Sequence, residues 1–332
     1  MAYLLFITGT IIYLGIVVDI LKTTLSMQGG GWLTTRFSNL FWSILLKISG
    51  KDGKSKLLAY AGFLLLISII IIWVSLLTLS FFLLLQSDLD SIVNSAKIPA
   101  SALEKLYYAG FVLSTLGIGD FMASNNFWRI ITDFYSFTGL ILITMSVTYF
   151  IPVLTAVIKQ RKLGINLSSL GKSPQEIILN AWTGINYDFF KLKLLTLSDA
   201  LLEHNQNHRA YPVIHYFHNN DQEHAVILQI ARLNEAIYII EHCLYPDYSM
   251  PKQEISSIKC ALDNYIKVIK DVSNINIKNS PPSVPDLNLL KEKNMLRSNF
   301  NGIEFSENIQ QKRLVFLTLI EQDGWQWKNV SQ

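Results

Sequence analysis

Residues 114–121 read Ser-Thr-Leu-Gly-Ile-Gly-Asp-Phe. A turn needs one glycine; here two alternate with bulky aliphatics directly before an aspartate. Glycine takes positive φ without a Cβ clash, so Gly117 and Gly119 allow successive carbonyls to face one side of the chain. Such a ribbon offers the backbone oxygens of Thr115, Leu116, Gly117 and Ile118, together with the Thr115 hydroxyl. The chemistry open to that row is cation coordination: four strands around an axis replace the water shell of a dehydrated ion. Nowhere does the sequence gather a nucleophile, a base or a metal set, and it has no P-loop or EF-hand, so an enzyme is not expected.

The elements that must position this ribbon are apolar. The chain has 332 residues, 50% hydrophobic and 16% charged, against about 25% charged for a soluble domain. Three segments reach the roughly 20 apolar residues a spanning helix needs: about Tyr3 to Leu21, Leu57 to Gln86 without a charge, and about Phe127 to Ile158. The first lacks a basic n-region and a small-residue cleavage site, so it reads as an anchor rather than a signal peptide. Lys22, Arg36, Lys47, Lys51, Lys54 and Lys56 separate the first two spans, and Lys159, Arg161 and Lys162 follow the third. By the positive-inside rule both groups are cytoplasmic, which places the N-terminus and Gln86–Asn126 outside and the C-terminal half inside. The basic excess belongs to these flanks: residues 1–162 hold 12 of the 28 basic and 7 of the 25 acidic residues. No nucleic-acid partner is implied. Arg36 to Ile48 is too short and too mixed to span and reads as an interfacial helix. No span carries a regular Arg or Lys array, so an arginine-type voltage sensor is not expected.

Between the second and third spans, Ser101 and Glu104 form an S-x-x-E capping box. The helix it starts, ending at Leu113 or Ser114, is too short to cross a bilayer at 1.5 Å per residue. It enters halfway and returns as irregular backbone, which is tolerated at that depth only inside protein or along a wet cavity. Thr115-Leu116-Gly117-Ile118-Gly119-Asp120 in this setting resembles the T-V-G-Y-G-D signature of the potassium-channel pore family, over roughly Leu57 to Lys162. The resemblance implies a homotetramer passing K+ along Thr115–Gly119. It implies that Tyr107 and Tyr108 brace the filter from the pore helix, that Asp120 anchors its outer end, and that Gly139 is an inner-helix hinge. Leu140, Ile143, Val147 and Ile151 share one helical face beyond Gly139 and by resemblance line the cavity. Pro152 removes a backbone hydrogen bond and is expected to kink that helix. Leu116 and Ile118 replace the usual valine and tyrosine, and the lost tyrosine hydroxyl leaves a weakly selective cation channel as the alternative. A membrane-anchored, non-conducting scaffold or sensor is the other. Arg129 and Asp133, four apart, are expected to form a local ion pair.

These readings give an all-α membrane protein of four parts: an anchor (1–22), an interfacial linker helix (23–56), a pore domain (57–162) and a cytoplasmic helical domain (163–332). It would be a multi-pass protein of the plasma membrane, in contact with lipid. No cofactor beyond permeant K+ is implied; a regulator of the cytoplasmic domain is left open. In that domain "LGINLSSLGK" reads as a linker, and Ser173-Pro174-Gln175-Glu176 opens a helix with cap, N1 proline and N3 glutamate, running to about Leu202. Further helices are expected over about Asp221 to Leu244, Lys252 to Val272, and Phe305 to Gln322, with Pro-rich Asn279–Asp286 as a break. The βαβ pattern and G-x-G-x-x-G of nucleotide-binding domains are missing. Five of the six histidines fall at His204, His208, His215, His218 and His224. Their spacing admits metal or pH sensing, but Pro212 and "HNNDQEH" favour a solvated loop with packed histidines. Cys243 and Cys260 suit a reducing compartment, and Trp325 and Trp327 are expected to pack against the domain.

Overall fold

Long uncharged aliphatic runs satisfy their own backbone only as helices, and the chain is helical almost throughout. The computed structural model describes residues 1–26, 29–272, 277, 280–297 and 305–331. They fall into two units: residues 1–40 with 64–153, and residues 41–63 with 154–332. Three helices are long and apolar enough to cross a membrane: α1 (Ala2–Leu25), α4 (Ala61–Gln86) and α6 (Asn126–Ser168). Between them lie α2 (Trp32–Ile48), α3 (Lys56–Ala59), β1 (Ile92–Asn94), α5 (Ala102–Leu113) and β2 (Phe121–Ala123).

In the first unit, α5 starts where the capping box places it. The Ser101 N–H donates to the Glu104 carboxylate at 2.7 Å. Strands β1 and β2 flank α5 and the glycine-bearing segment after it and pair antiparallel, Ile92 opposite Ala123 and Asn94 opposite Phe121. This two-stranded ribbon closes the mouth of the loop by joining its entry to its exit. Helix α1 is built into the unit rather than merely anchoring it. The Ser80 hydroxyl of α4 donates to the Gly9 carbonyl of α1 at 2.8 Å and lies 2.6 Å from the Tyr135 hydroxyl of α6. Tyr13 of α1 meets Thr138 of α6 at 2.8 Å. Asp19, buried in α1, accepts from the Leu33 and Thr34 N–H groups at 2.8 and 3.3 Å and from the Trp73 indole at 3.1 Å. It thus caps the N-terminus of α2 from another helix, where a carboxylate satisfies orphan donors and complements the dipole.

The second unit is all-α. Helices α7 (Pro174–Ala181), α8 (Asp188–Ala210), α9 (Val226–His242), α10 (Lys252–Val272), α11 (Asn288–Glu292), α12 (Glu307–Gln322) and α13 (Lys328–Ser331) surround one aliphatic core. Trp325 and Trp327 are buried in it. Helix α7 opens as expected, with the Ser173 hydroxyl accepting from the Glu176 N–H at 3.2 Å. The single helix expected to run to Leu202 is two, because residues 182–187 turn through Gly184 at φ +93° with Thr183 bonded to Asn186. The expected linker after the third span is largely helix, since α6 continues to Ser168. Residue 279 of the Pro-rich break lies outside the described residues. From 280 to 287 the chain is non-helical, and buried Arg313 donates to the Pro282 and Ser283 carbonyls at 3.3 and 2.6 Å. The end of α2 and the loop after it also pack within this unit: the Trp42 indole donates to the Gln322 carbonyl at 2.9 Å, and the Gly53 N–H to the Gly324 carbonyl at 2.8 Å.

Candidate ion-coordinating ribbon

The ribbon begins as the C-cap of α5. The Thr115 N–H donates to the Val112 carbonyl and the Leu116 N–H to the Phe111 carbonyl, both at 3.0 Å. These two bonds make a Schellman motif, whose left-handed position usually holds glycine. Here it holds Thr115, at φ +57°. A β-branched residue in that region is an outlier costing about 1–3 kcal/mol, and such strain gathers at functional sites. Gly117 and Gly119 follow at φ +59° and +84°, while Leu116 and Ile118 keep negative φ. The sign of φ therefore alternates over Thr115–Gly119, a backbone that glycine at 117 and 119 adopts without a Cβ clash.

Thr115 through Asp120 are all exposed on the single chain. Behind the ribbon lies a cavity of about 360 Å³ whose wall includes Tyr108, Thr115, Gly117, Arg129, Thr132 and Asp133. The Tyr108 hydroxyl meets the Thr132 hydroxyl at 3.0 Å, joining α5 to α6. Tyr107 stacks edge-on against Phe121 and feels the Asp120 charge. Asp120 itself accepts the Phe121 N–H at 3.1 Å. The expected ion pair between Arg129 and Asp133 is not formed. Both side chains instead face the cavity, so the helical spacing brings them together on one wall without joining them.

Gly139 lies where α6 crosses the end of α5, and a Cβ there would overlap the Leu113 carbonyl oxygen. Close packing accounts for this glycine without a hinge; α6 is continuous through it and through Pro152. Leu140, Ile143, Val147 and Ile151 form an exposed apolar stripe, opposite a buried stripe that includes Gly139, Leu142, Ser146, Tyr149 and Val153. Two features gave no local signal in the sequence. Lys105 is buried in the first turn of α5, and Asp19 caps a helix whose start lies 13 residues further along the chain.

His204 and His208 lie on α8 rather than in a loop, whereas residues 217–225, which carry His218 and His224, are non-helical as expected. His204, His208 and His218 are buried. The His208 ring lies 5.7 Å from that of His204 and 5.5 Å from that of His215, and His204 stacks on Tyr265. No three His, Cys, Asp or Glu residues converge on a possible metal position among the described residues. Burial, with the neighbouring His215, depresses His204 to about 4 and His208 well below its ordinary value. Burial also lowers His215, opposed by the Asp323 charge. Burial works against His218 too, but Asp323 at 2.9 Å and the Gly53 carbonyl at 2.7 Å raise it overall.

The signs follow from linkage. Groups with depressed folded values stabilise above their unfolded pKa near 6.5 and lose that contribution as the pH falls toward 4; His204 alone accounts for about 3 kcal/mol. His218 acts oppositely, stabilising below its unfolded value and losing that contribution as the pH rises through its folded one. Melting of the full-length protein followed by tryptophan fluorescence should therefore show Tm falling between pH 6.5 and 4. His208→Leu should flatten that slope; an unchanged slope would contradict the account.

Three helices long and apolar enough to span, with a short helix and a glycine ribbon of alternating φ sign between the second and third, describe a membrane protein. The ion-channel family model matches residues 61–156, from the start of α4 into the second half of α6. The match supports the resemblance read from Thr115–Asp120, and the family it describes is one of ion channels rather than of enzymes. The chain is 30% identical over 324 residues to the uncharacterized membrane protein YdjJ of Bacillus subtilis (strain 168), covering 97% of this chain and 94% of the relative, and it belongs to that protein's family. No solved structure matches.

Proposed function

We propose that this chain is one subunit of a homotetrameric potassium channel of the plasma membrane, with the carbonyls of Thr115, Leu116, Gly117 and Ile118 coordinating the permeant ion. The observation that carries the reading is the alternating sign of φ over Thr115–Gly119 on a ribbon left exposed by its own chain. Irregular backbone at membrane depth needs cover from protein or water. Neighbouring copies around a four-fold axis supply the protein, and the conduction path supplies the water. In this arrangement the exposed stripe Leu140, Ile143, Val147 and Ile151 lines the inner cavity and gates by dewetting. Tyr107, Tyr108 and Asp120 support the filter from behind and above.

The basic residues between α1 and α4, with Lys159, Arg161 and Lys162 in the C-terminal part of α6, support an N-terminus outside and a helical unit in the cytoplasm. That unit is the natural seat of a regulator. Weaker selectivity is the second reading, favoured by Ile118, which has no hydroxyl to hold filter width.

Purified protein in detergent should have a native mass of four times the 37.7 kDa chain. In liposomes it should pass K+, and Gly117→Ala should abolish that flux. The substitution puts a Cβ on a residue at φ +59°, where L-residues are strained. A stable species of any other stoichiometry, or K+ flux that survives Gly117→Ala, would contradict the proposal.

A further inference from the structure

We propose that Lys105 is a positioning residue for the filter: its buried ammonium locks the pore helix to the end of the outer helix and so sets ion selectivity. The inference rests on the channel reading and extends it to a side chain outside the signature. Lys105 is 1% exposed. Its Nζ donates to the backbone carbonyls of Leu85, Asp88 and Leu89 at 3.0, 2.6 and 3.1 Å. All three ammonium protons are thus used.

The placement runs against the usual rules in two ways. A lysine is almost never fully buried, and a cation in the first turn of a helix opposes the dipole of that helix. Both costs are offset on the other side of the contact. Leu85 belongs to the last turn of α4, where carbonyls lack intrahelical partners and a cation is favoured. The Ser91 hydroxyl donates to the same Leu85 oxygen at 2.7 Å. A group held against two local rules by three hydrogen bonds is a sign of function rather than of indifferent surface.

The same few residues reach the third element. While the Asp88 carbonyl holds Lys105, the Asp88 carboxylate accepts the Trp128 indole N–H from the first turn of α6 at 2.7 Å. Residues 85–91 therefore tie together the end of the outer helix, the start of the pore helix and the start of the inner helix. At its far end the pore helix is seated against Gly139, and its middle is joined to Thr132 through Tyr108. Thr115 follows one residue after the last helical cap, so any slide or tilt of α5 passes directly into the carbonyl row. Selectivity depends on where those oxygens sit, and displacements of under an ångström are enough to alter it.

The test is the K+/Na+ flux ratio of full-length protein in liposomes. It compares the wild type with Lys105→Met, which keeps the aliphatic stem and removes the donors, and with Lys97→Met, which removes an exposed positive charge in the same outer segment. Lys105→Met is expected to lower the ratio at least tenfold at unchanged native mass, and Lys97→Met to leave it unchanged. Should Lys105→Met not assemble, Lys105→Gln, which retains part of the hydrogen bonding, is expected to give an intermediate ratio. A ratio that stays at the wild-type value in the assembled variant overturns the proposal, as does a parallel change in both fluxes, which marks a purely electrostatic or structural role. Absence of any wild-type flux sensitive to Gly117→Ala overturns the channel reading and this inference together. Selective wild-type flux with an unaffected Lys105 variant overturns this inference alone.

Discussion

Gly139→Ala is expected to abolish the proposed selective conduction and to lower the melting temperature of the first unit, even though it adds a single methyl group to an apolar helix. The added carbon meets the Leu113 carbonyl oxygen, which is backbone and cannot rotate away. Either α6 withdraws from α5 or the end of the pore helix is displaced. Overpacking of this kind costs about 1–3 kcal/mol, and more where the neighbour is rigid. The functional loss should exceed the stability loss, because Leu113 lies two residues before Thr115, the first residue of the proposed filter. Gly139→Val should be worse in both respects. A hinge role predicts another pattern: alanine, a good helix former, would change open probability while leaving stability and selectivity intact. Thermal unfolding in detergent, read beside the K+/Na+ flux ratio, separates the two.

The largest effect on the helical unit is expected at Arg313. Its Nε donates to both oxygens of Glu235, at 2.9 and 3.1 Å, and both side chains are almost fully buried. The guanidinium also lies 3.9 Å from the centre of the Phe305 ring and holds the Pro282 and Ser283 carbonyls. Arg313→Met strips every one of these donors and leaves a carboxylate buried without its partner, a change that costs about 3–5 kcal/mol. The double variant Glu235→Leu with Arg313→Met removes the stranded charge and should recover most of the loss, since an apolar pair in place of a buried ion pair is often neutral or better. The cycle is read by denaturant unfolding followed at Trp327, whose ring lies 5.3 Å from the Arg313 guanidinium. A double variant as unstable as the single one would show that the carbonyl contacts to residues 282–283, rather than the ion pair, dominate.

The pore module was legible because three independent signals coincide within it: uncharged spans of the right length, the Ser101/Glu104 capping box, and glycines alternating before Asp120. Each is local, so each survives reading without a structure. The turn at 182–187 was legible in principle through Gly184 and Asn186, but the aliphatic periodicity on either side masked it. Strands β1 and β2, of three residues each, are too short to show a period of two. The partners of Lys105 are backbone carbonyls, which leave no mark in a sequence. Asp19 caps a helix distant from it in the chain, and no local spacing links the two. Two of the histidines misled for a related reason. Polar residues in "HNNDQEH" describe a loop well, but His204 and His208 sit on α8 with Leu194, Leu197 and Leu201, whose buried face includes them. Gly139 packs against the Leu113 carbonyl, and whether a glycine serves bending or close approach depends on what lies opposite it, which a sequence does not show.

The central claim is that Thr115–Gly119 is a cation filter, and the most direct test is the reversal potential of purified full-length protein in a planar bilayer with K+ on one side and Na+ on the other. The account predicts a potential displaced strongly in the direction that marks K+ as the permeant ion, and no current from Gly117→Ala at the same protein density. A reversal potential near zero that persists in Gly117→Ala would mean that ions cross by a route other than this ribbon, and would contradict the account.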